Sequence, residues 1–129
     1  MPGGTVRYSA TALKSLGRDV AVITRVAPAD EAVLLSEMSA SGIHVVPIPS
    51  AVSTVFENSY EGPELAVRKQ RVEGIADPFV AEDLVHLDAE VVQLGPLTSS
   101  EMSVEFVAAV AASGSRVGID IQGYTRRIK

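Results

Sequence analysis

The chain has 129 residues, 47% of them hydrophobic, no cysteine, and a formal net charge of -5. That is enough apolar sequence for one folded domain, and it excludes disulfides, thiolate catalysis and cysteine-based zinc sites. The acidic balance argues against a nucleic-acid partner, whose phosphates demand a basic face, and no apolar run approaches the roughly 18 residues of a membrane span.

The first predicted element is a helix over 5–17, with Val6, Ala10 and Leu13 on one face and Gly17 as its stop. Gly3 and Gly4 stand directly before it. A strand rich in β-branched residues follows at 19–26. Pro28 can open the next helix, with Asp30 and Glu31 in its first turn, and that helix runs to Ser41 before Gly42. "HVVPIP" at 44–49 reads as a strand, and its prolines place it at a sheet edge.

The middle of the chain changes character. "TVFENSYE" (54–61) and "LAVRKQRVE" (65–73) flank Gly62-Pro63-Glu64 and read as an antiparallel hairpin. Phe56, Asn58 and Tyr60 share a face of the first strand; Leu65, Val67, Lys69 and Arg71 share one of the second. Phe56, Tyr60, Leu65 and Val67 together form an apolar face whose burial against a second copy predicts a homodimer. A short helix is expected near 81–87.

Alternation then resumes. "EVVQLGPL" (90–97) is a predicted strand, and Thr98 to Glu101 fits a T-x-x-E capping box opening a helix with Met102, Phe106, Val107, Val110 and Ala111 as its stripe. "RVGIDI" (116–121) is the last predicted strand, and "QGYTRRIK" runs on from it. The layout is α/β around a mostly parallel sheet, with the hairpin inserted at about 44–73. Ligands of such sheets sit at the strands' carboxyl ends, here Arg25 to Pro28, Gly95-Pro96 and Asp120 to Gly123.

Gly3-Gly4, a helix ending "LKSLG", "SGIHVV", "STVFENSY", "VVQLGPL" and "DIQGYTR" in that order resemble the ribokinase/PfkB family of carbohydrate and nucleoside kinases. The resemblance covers nearly all of this chain but only the N-terminal, substrate-side portion of a member. It implies a ribokinase-like partial three-layer fold with a projecting hairpin lid. It also implies a first strand and an ATP-binding half outside residues 1–129, the Gly-Gly turn reading as cut from its strand.

What the resemblance implies about sites is carried by Gly3, Gly4, Tyr8, Thr54, Gly95 and Asp120 as substrate-binding positions. Tyr8 stands where the family often has an Asn, so the amide that would hold a sugar hydroxyl there is missing. The catalytic aspartate of the family's Gly-Ala-Gly-Asp motif has no counterpart here, and Gly118-Ile119-Asp120 is no substitute. The complete enzyme would use Mg-ATP to phosphorylate a sugar, nucleoside or polyol in the cytoplasm. This chain alone is expected to be inactive and to bind no cofactor.

Other readings stay beside these. Asp120 serves equally as a ligand contact or as a turn residue. Arg126, Arg127 and Lys129 read as a solvated tail, and Glu57 and Glu61 as surface charges. Arg68, Lys69 and Arg71 read as a solvated strand face, and His44 and His86 lack paired-ligand spacing. Two further function classes remain open: a non-catalytic α/β module that dimerises through its hairpin, and an unrelated α/β enzyme with a site at its strand ends.

Overall fold

The computed structural model describes residues 2–126. Helix α1 (Thr5–Ser15) leads into strand β1 (Ala21–Val26), helix α2 (Glu31–Ala40) and strand β2 (His44–Pro49). The hairpin strands β3 (Val55–Glu61) and β4 (Val67–Gly74) follow. Strand β5 (Val91–Leu94), helix α3 (Val104–Ala112), strand β6 (Arg116–Ile119) and the short helix α4 (Gln122–Thr125) complete the chain.

The helix stops work as the sequence implies. Gly17 adopts φ 74° and Gly42 φ 81°, a left-handed conformation open to glycine. Each lets the chain close a paired set of carbonyls. The Gly17 and Arg18 amides reach back to Lys14 and Leu13, and the Gly42 and Ile43 amides to Ser39 and Met38.

The single sheet expected from the alternation is instead three two-stranded pairs. β1 pairs with β2 in parallel, from Ala21 opposite His44 to Val26 opposite Pro49. β5 pairs with β6 in parallel, from Val91 opposite Arg116 to Leu94 opposite Ile119. Among the described residues no ladder joins the two pairs. β2 has β1 as its one ladder partner, which suits Pro47 and Pro49, since neither can donate to a further strand.

Each parallel pair carries its own core. Ala10, Val22, Val26, Leu35, Met38 and Ile43 pack between α1, α2 and the β1–β2 pair. Leu94, Met102, Phe106 and Val110 pack between α3 and the β5–β6 pair, with Phe79 and Leu84 against them. Arg25 joins the two. Its guanidinium donates to Asp83 Oδ2 at 2.6 Å and lies 5.6 Å from the Phe79 ring centre. Phe79 in turn sits 5.6 Å from the Phe106 ring. Both members of the ion pair are nearly buried, with side chains 11% exposed.

The hairpin is antiparallel, as the sequence predicts, and spans β3 and β4; residues 44–49 belong to the β1 pair. Every residue from Glu57 to Arg71 is exposed, so it projects from the body. Its register corrects the expected apolar face. Phe56, Asn58 and Tyr60 stand opposite Val72, Gln70 and Arg68, whereas Val67 stands opposite Glu61 and next to Lys69 and Arg71 in the alternation. Opposed residues share a face, so Val67 lies on the charged side, away from Phe56 and Tyr60.

Other boundaries shift for local reasons. β5 ends at Leu94, before the buried Gly95 and Pro96, since Pro96 has no N–H for a ladder. α3 starts at Val104 because Ser103 is its cap, its Oγ accepting from the Phe106 amide at 3.1 Å. The 81–86 segment is a tight three-residue-per-turn helix, and α4 forms in a tail for which the sequence reading assigned no element.

Breaking the Arg25–Asp83 pair should cost far more than breaking a surface ion pair. Asp83→Ala strands a nearly buried guanidinium and should cost about 2–4 kcal/mol in urea unfolding. Removing Glu61, whose bridge to Lys69 is exposed on both sides, should change stability by less than about 1 kcal/mol.

Candidate functional site at the strand ends

Three of the sequence-predicted positions, Gly4, Gly95 and Asp120, are brought together through Thr5. α1 begins after Gly4, which adopts φ 91°. Thr5 sits so close to Gly95 that a Cβ on Gly95 would stand 3.0 Å from the Thr5 Cβ. Thr5 Oγ1 also donates to Asp120 Oδ2 at 2.8 Å. The start of α1 and the carboxyl ends of β5 and β6 therefore share one small space. Gly123 packs against the residues that follow Gly95: a Cβ there would overlap the Pro96 carbonyl oxygen.

Asp120 is half-buried and its carboxylate is doubly held. The Gln122 amide donates to Oδ1 at 2.9 Å, and Thr5 takes Oδ2. The Gln122 amide first, then the Thr5 hydroxyl, keeps its pKa below the ordinary 3.8. It is therefore an ionised acceptor at neutral pH, with lone pairs to spare for hydroxyl donors. The ligand and turn readings of Asp120 are thus compatible in one residue. α1 has no acidic residue in its first turn and no side-chain cap, so its first amides remain oriented donors.

The other predicted positions are placed less directly. Gly3 is exposed with nothing within 4 Å of a Cβ. Tyr8 is 65% exposed, one turn into α1. Thr54 stands just before β3, and its hydroxyl is engaged on both sides. It donates to Glu101 Oε1 at 2.5 Å and accepts from the Ala76 amide at 2.9 Å.

Glu101 and Arg126 are the residues that sequence reasoning undervalued. Glu101 is buried, and its Oε2 accepts from the Leu97 and Thr98 amides at 2.6 and 3.0 Å. The T-x-x-E pattern correctly signals the Thr98 contact but not the helix, which starts later, nor the reach across the fold to Thr54. Arg126 is not part of a solvated tail. It lies 4.6 Å from the Phe56 ring centre and donates to the Leu97 carbonyl at 2.8 Å. Arg127 and Lys129 lie outside the described residues. His44 and His86 are both exposed, and among the described residues no three acidic or imidazole side chains gather as metal ligands.

No protein-family model matches the chain, and no curated protein does either. Solved structures do. One is a pyrophosphate-dependent kinase in the ribokinase family complexed with a pyrophosphate analogue and myo-inositol, 27% identical, with TM-score 0.83 over 96% of this chain. A sulfate complex of a pyrophosphate-dependent ribokinase-family kinase is 29% identical with TM-score 0.85. A third structure concerns the conversion of a pyrophosphate-dependent myo-inositol-1 kinase into a myo-inositol-3 kinase, at 25% identity and TM-score 0.83. The chain spans 42%, 43% and 41% of those three proteins. The fold is ribokinase-like, and the resemblance to part of a ribokinase-family kinase holds. No helix is long and apolar enough to cross a membrane among the described residues.

The depressed pKa of Asp120 fixes a sign for acid behaviour. Its contribution to stability is fully present above the ordinary 3.8 and is lost as pH falls through the lower folded value. Asp120→Ala should therefore lower the melting temperature at pH 7. The gap to wild type should shrink as thermal melts are taken below pH 4.

Proposed function

We propose that this chain, ribokinase-like in fold and similar to part of that family, is the substrate-side portion of a kinase that phosphorylates a hydroxyl of a small polyhydroxylated molecule. The observation that carries this is the likeness of 96% of the chain to inositol-kinase structures at TM-scores of 0.83 to 0.85. Among the sugar, nucleoside and polyol classes, those neighbours favour a cyclic polyol. Gly4 and Gly95 supply close backbone approach, and the Asp120 carboxylate supplies an acceptor for an alcohol O–H.

In the complete enzyme the γ-phosphoryl of Mg-ATP would pass to the acceptor oxygen, whose proton goes to an aspartate outside residues 2–126. Positioning and charge neutralisation do most of the work in such transfers. The neighbours' use of pyrophosphate makes that anion the alternative donor. The hairpin would act as a lid that keeps water from competing as acceptor. The donor site and the catalytic base lie, in this reading, outside the chain, and the activity is cytoplasmic.

Two measurements test this. Millimolar myo-inositol, ribose and adenosine are titrated into the chain while amide NMR shifts are followed. The expected outcome is movement of Gly4, Thr5, Gly95 and Asp120 by one polyol, abolished by Asp120→Ala. Silence of those amides toward all three, in a folded chain, would sink the reading. Assayed with Mg-ATP or magnesium pyrophosphate, residues 1–129 alone should give no acceptor-dependent turnover.

A second reading is favoured by the exposure of the hairpin. Phe56, Val72 and Tyr60 give apolar area to the face that also carries Asn58, Gln70 and Arg68, and Tyr60 is 52% exposed. An isolated two-stranded ribbon is marginal in water, and a symmetric partner is the commonest cover. A non-catalytic module that dimerises there would show twice the monomer mass by light scattering at high micromolar concentration. Changing Phe56 and Tyr60 together to Asp should return it to monomer. A wild-type monomer at that concentration would defeat dimerisation.

A further inference from the structure

The peptide of Leu97 is held from two directions by side chains tied to the hairpin. On one side, Thr54 at the hairpin stem donates to Glu101 Oε1, and Glu101 Oε2 accepts from the Leu97 and Thr98 amides. On the other, the Arg126 guanidinium stacks on Phe56 of β3 and donates to the Leu97 carbonyl. The N–H and the C=O of one residue are thus both committed to the hairpin, through different intermediates. The Leu97 side chain meanwhile reaches the start of α1: its Cδ1 is 3.6 Å from where a Cβ on Gly4 would stand.

The Glu101 connection has little slack. Glu101 is 9% exposed and Thr98 1%, so a released carboxylate or amide has little water to turn to. Thr54 also accepts from the Ala76 amide, which fixes the returning end of the hairpin to the same hydroxyl. A tilt of the hairpin therefore moves Thr54, Phe56 and Ala76 together. It must then either pull the Leu97–Thr98 segment with it or give up the Thr54–Glu101 bond and the stacking of Arg126 on Phe56.

We propose that the hairpin and the Gly95–Glu101 loop form one mechanical unit, with Glu101 and Arg126 as positioning residues that couple hairpin tilt to the Leu97 peptide. The same loop carries the Leu97 side chain against the start of α1. The coupling itself does not depend on the phosphoryl-transfer reading and is tested without any substrate.

Amide hydrogen exchange on the intact chain, resolved by NMR, reads both ends. Thr54→Val removes the hydroxyl but leaves the bonds from Glu101 to the Leu97 and Thr98 amides intact. If the unit is coupled, exchange should quicken in β3 and β4 and also at Leu97 and Thr98, by about tenfold or more, as loss of a bond to a charged group implies. Arg126→Ala approaches from the other side and should quicken the same two segments. The α3 amides are the internal control and should keep wild-type rates in both variants. Faster exchange confined to the hairpin, with Leu97 and Thr98 at wild-type rates in both variants, would overturn the proposal. So would unchanged exchange at both ends.

Discussion

No β-ladder joins the two halves of this molecule among its described residues. Each parallel pair closes its own core, so the relation between them is set by side chains. The Arg25 guanidinium is the central one, paired with Asp83 and laid near Phe79. The same Asp83 oxygen accepts from the Val80 amide at 2.9 Å, which anchors the 81–86 turn. The Thr5–Asp120 bond repeats the arrangement at the start of α1. A ladder resists sliding through many equivalent bonds. A handful of charge-assisted contacts resists it through few strong ones, whose value depends on staying dry. The candidate site lies among those contacts, so its geometry follows from how well they hold.

Much of the fold could be read from the chain. α1, α2 and their glycine stops follow from apolar spacing and local backbone preference, and local signals survive any tertiary setting. The hairpin was legible for the same reason: alternation and a Gly-Pro break are short-range. Strand membership in one sheet was not. Apolar β-branched runs such as "DVAVITRV" and "EVVQLGPL" announce burial, but nothing in them states which strand stands beside which. The hairpin's faces failed differently. The face assigned to β3 holds, and so does Val67, Lys69 and Arg71 for β4, but Leu65 belongs to the turn Pro63–Leu65 and not to the strand. Joining Phe56 to Val67 required the register, which depends on that turn.

The candidate site divides along the same line. Gly4, Gly95 and Asp120 stand at element ends, and element ends are visible in sequence; the structure brings them together through Thr5. Glu101 was visible for only half of what it does. Its bond to Thr98 is three residues long, whereas its bond to Thr54 crosses 47 positions. Arg126 was misjudged because charges near a terminus usually stay in water, and only the position of Phe56 gives this one a surface to stack on.

The projecting hairpin separates two properties that a flap could have confounded. Nothing between Glu57 and Arg71 is buried, and at its tip Glu64 and Leu65 sit at φ 58° and 55° without touching either core. Its stem, by contrast, is crowded: a Cβ on Gly74 would come within 2.7 Å of the Ser53 carbonyl. Length is therefore free to vary at the tip, residue pair by residue pair, without disturbing the body of the protein. The stem is not free to vary in the same way. At the stem even one methyl group on Gly74 would press on the Ser53 backbone, so a change there is passed on to the segment that enters β3.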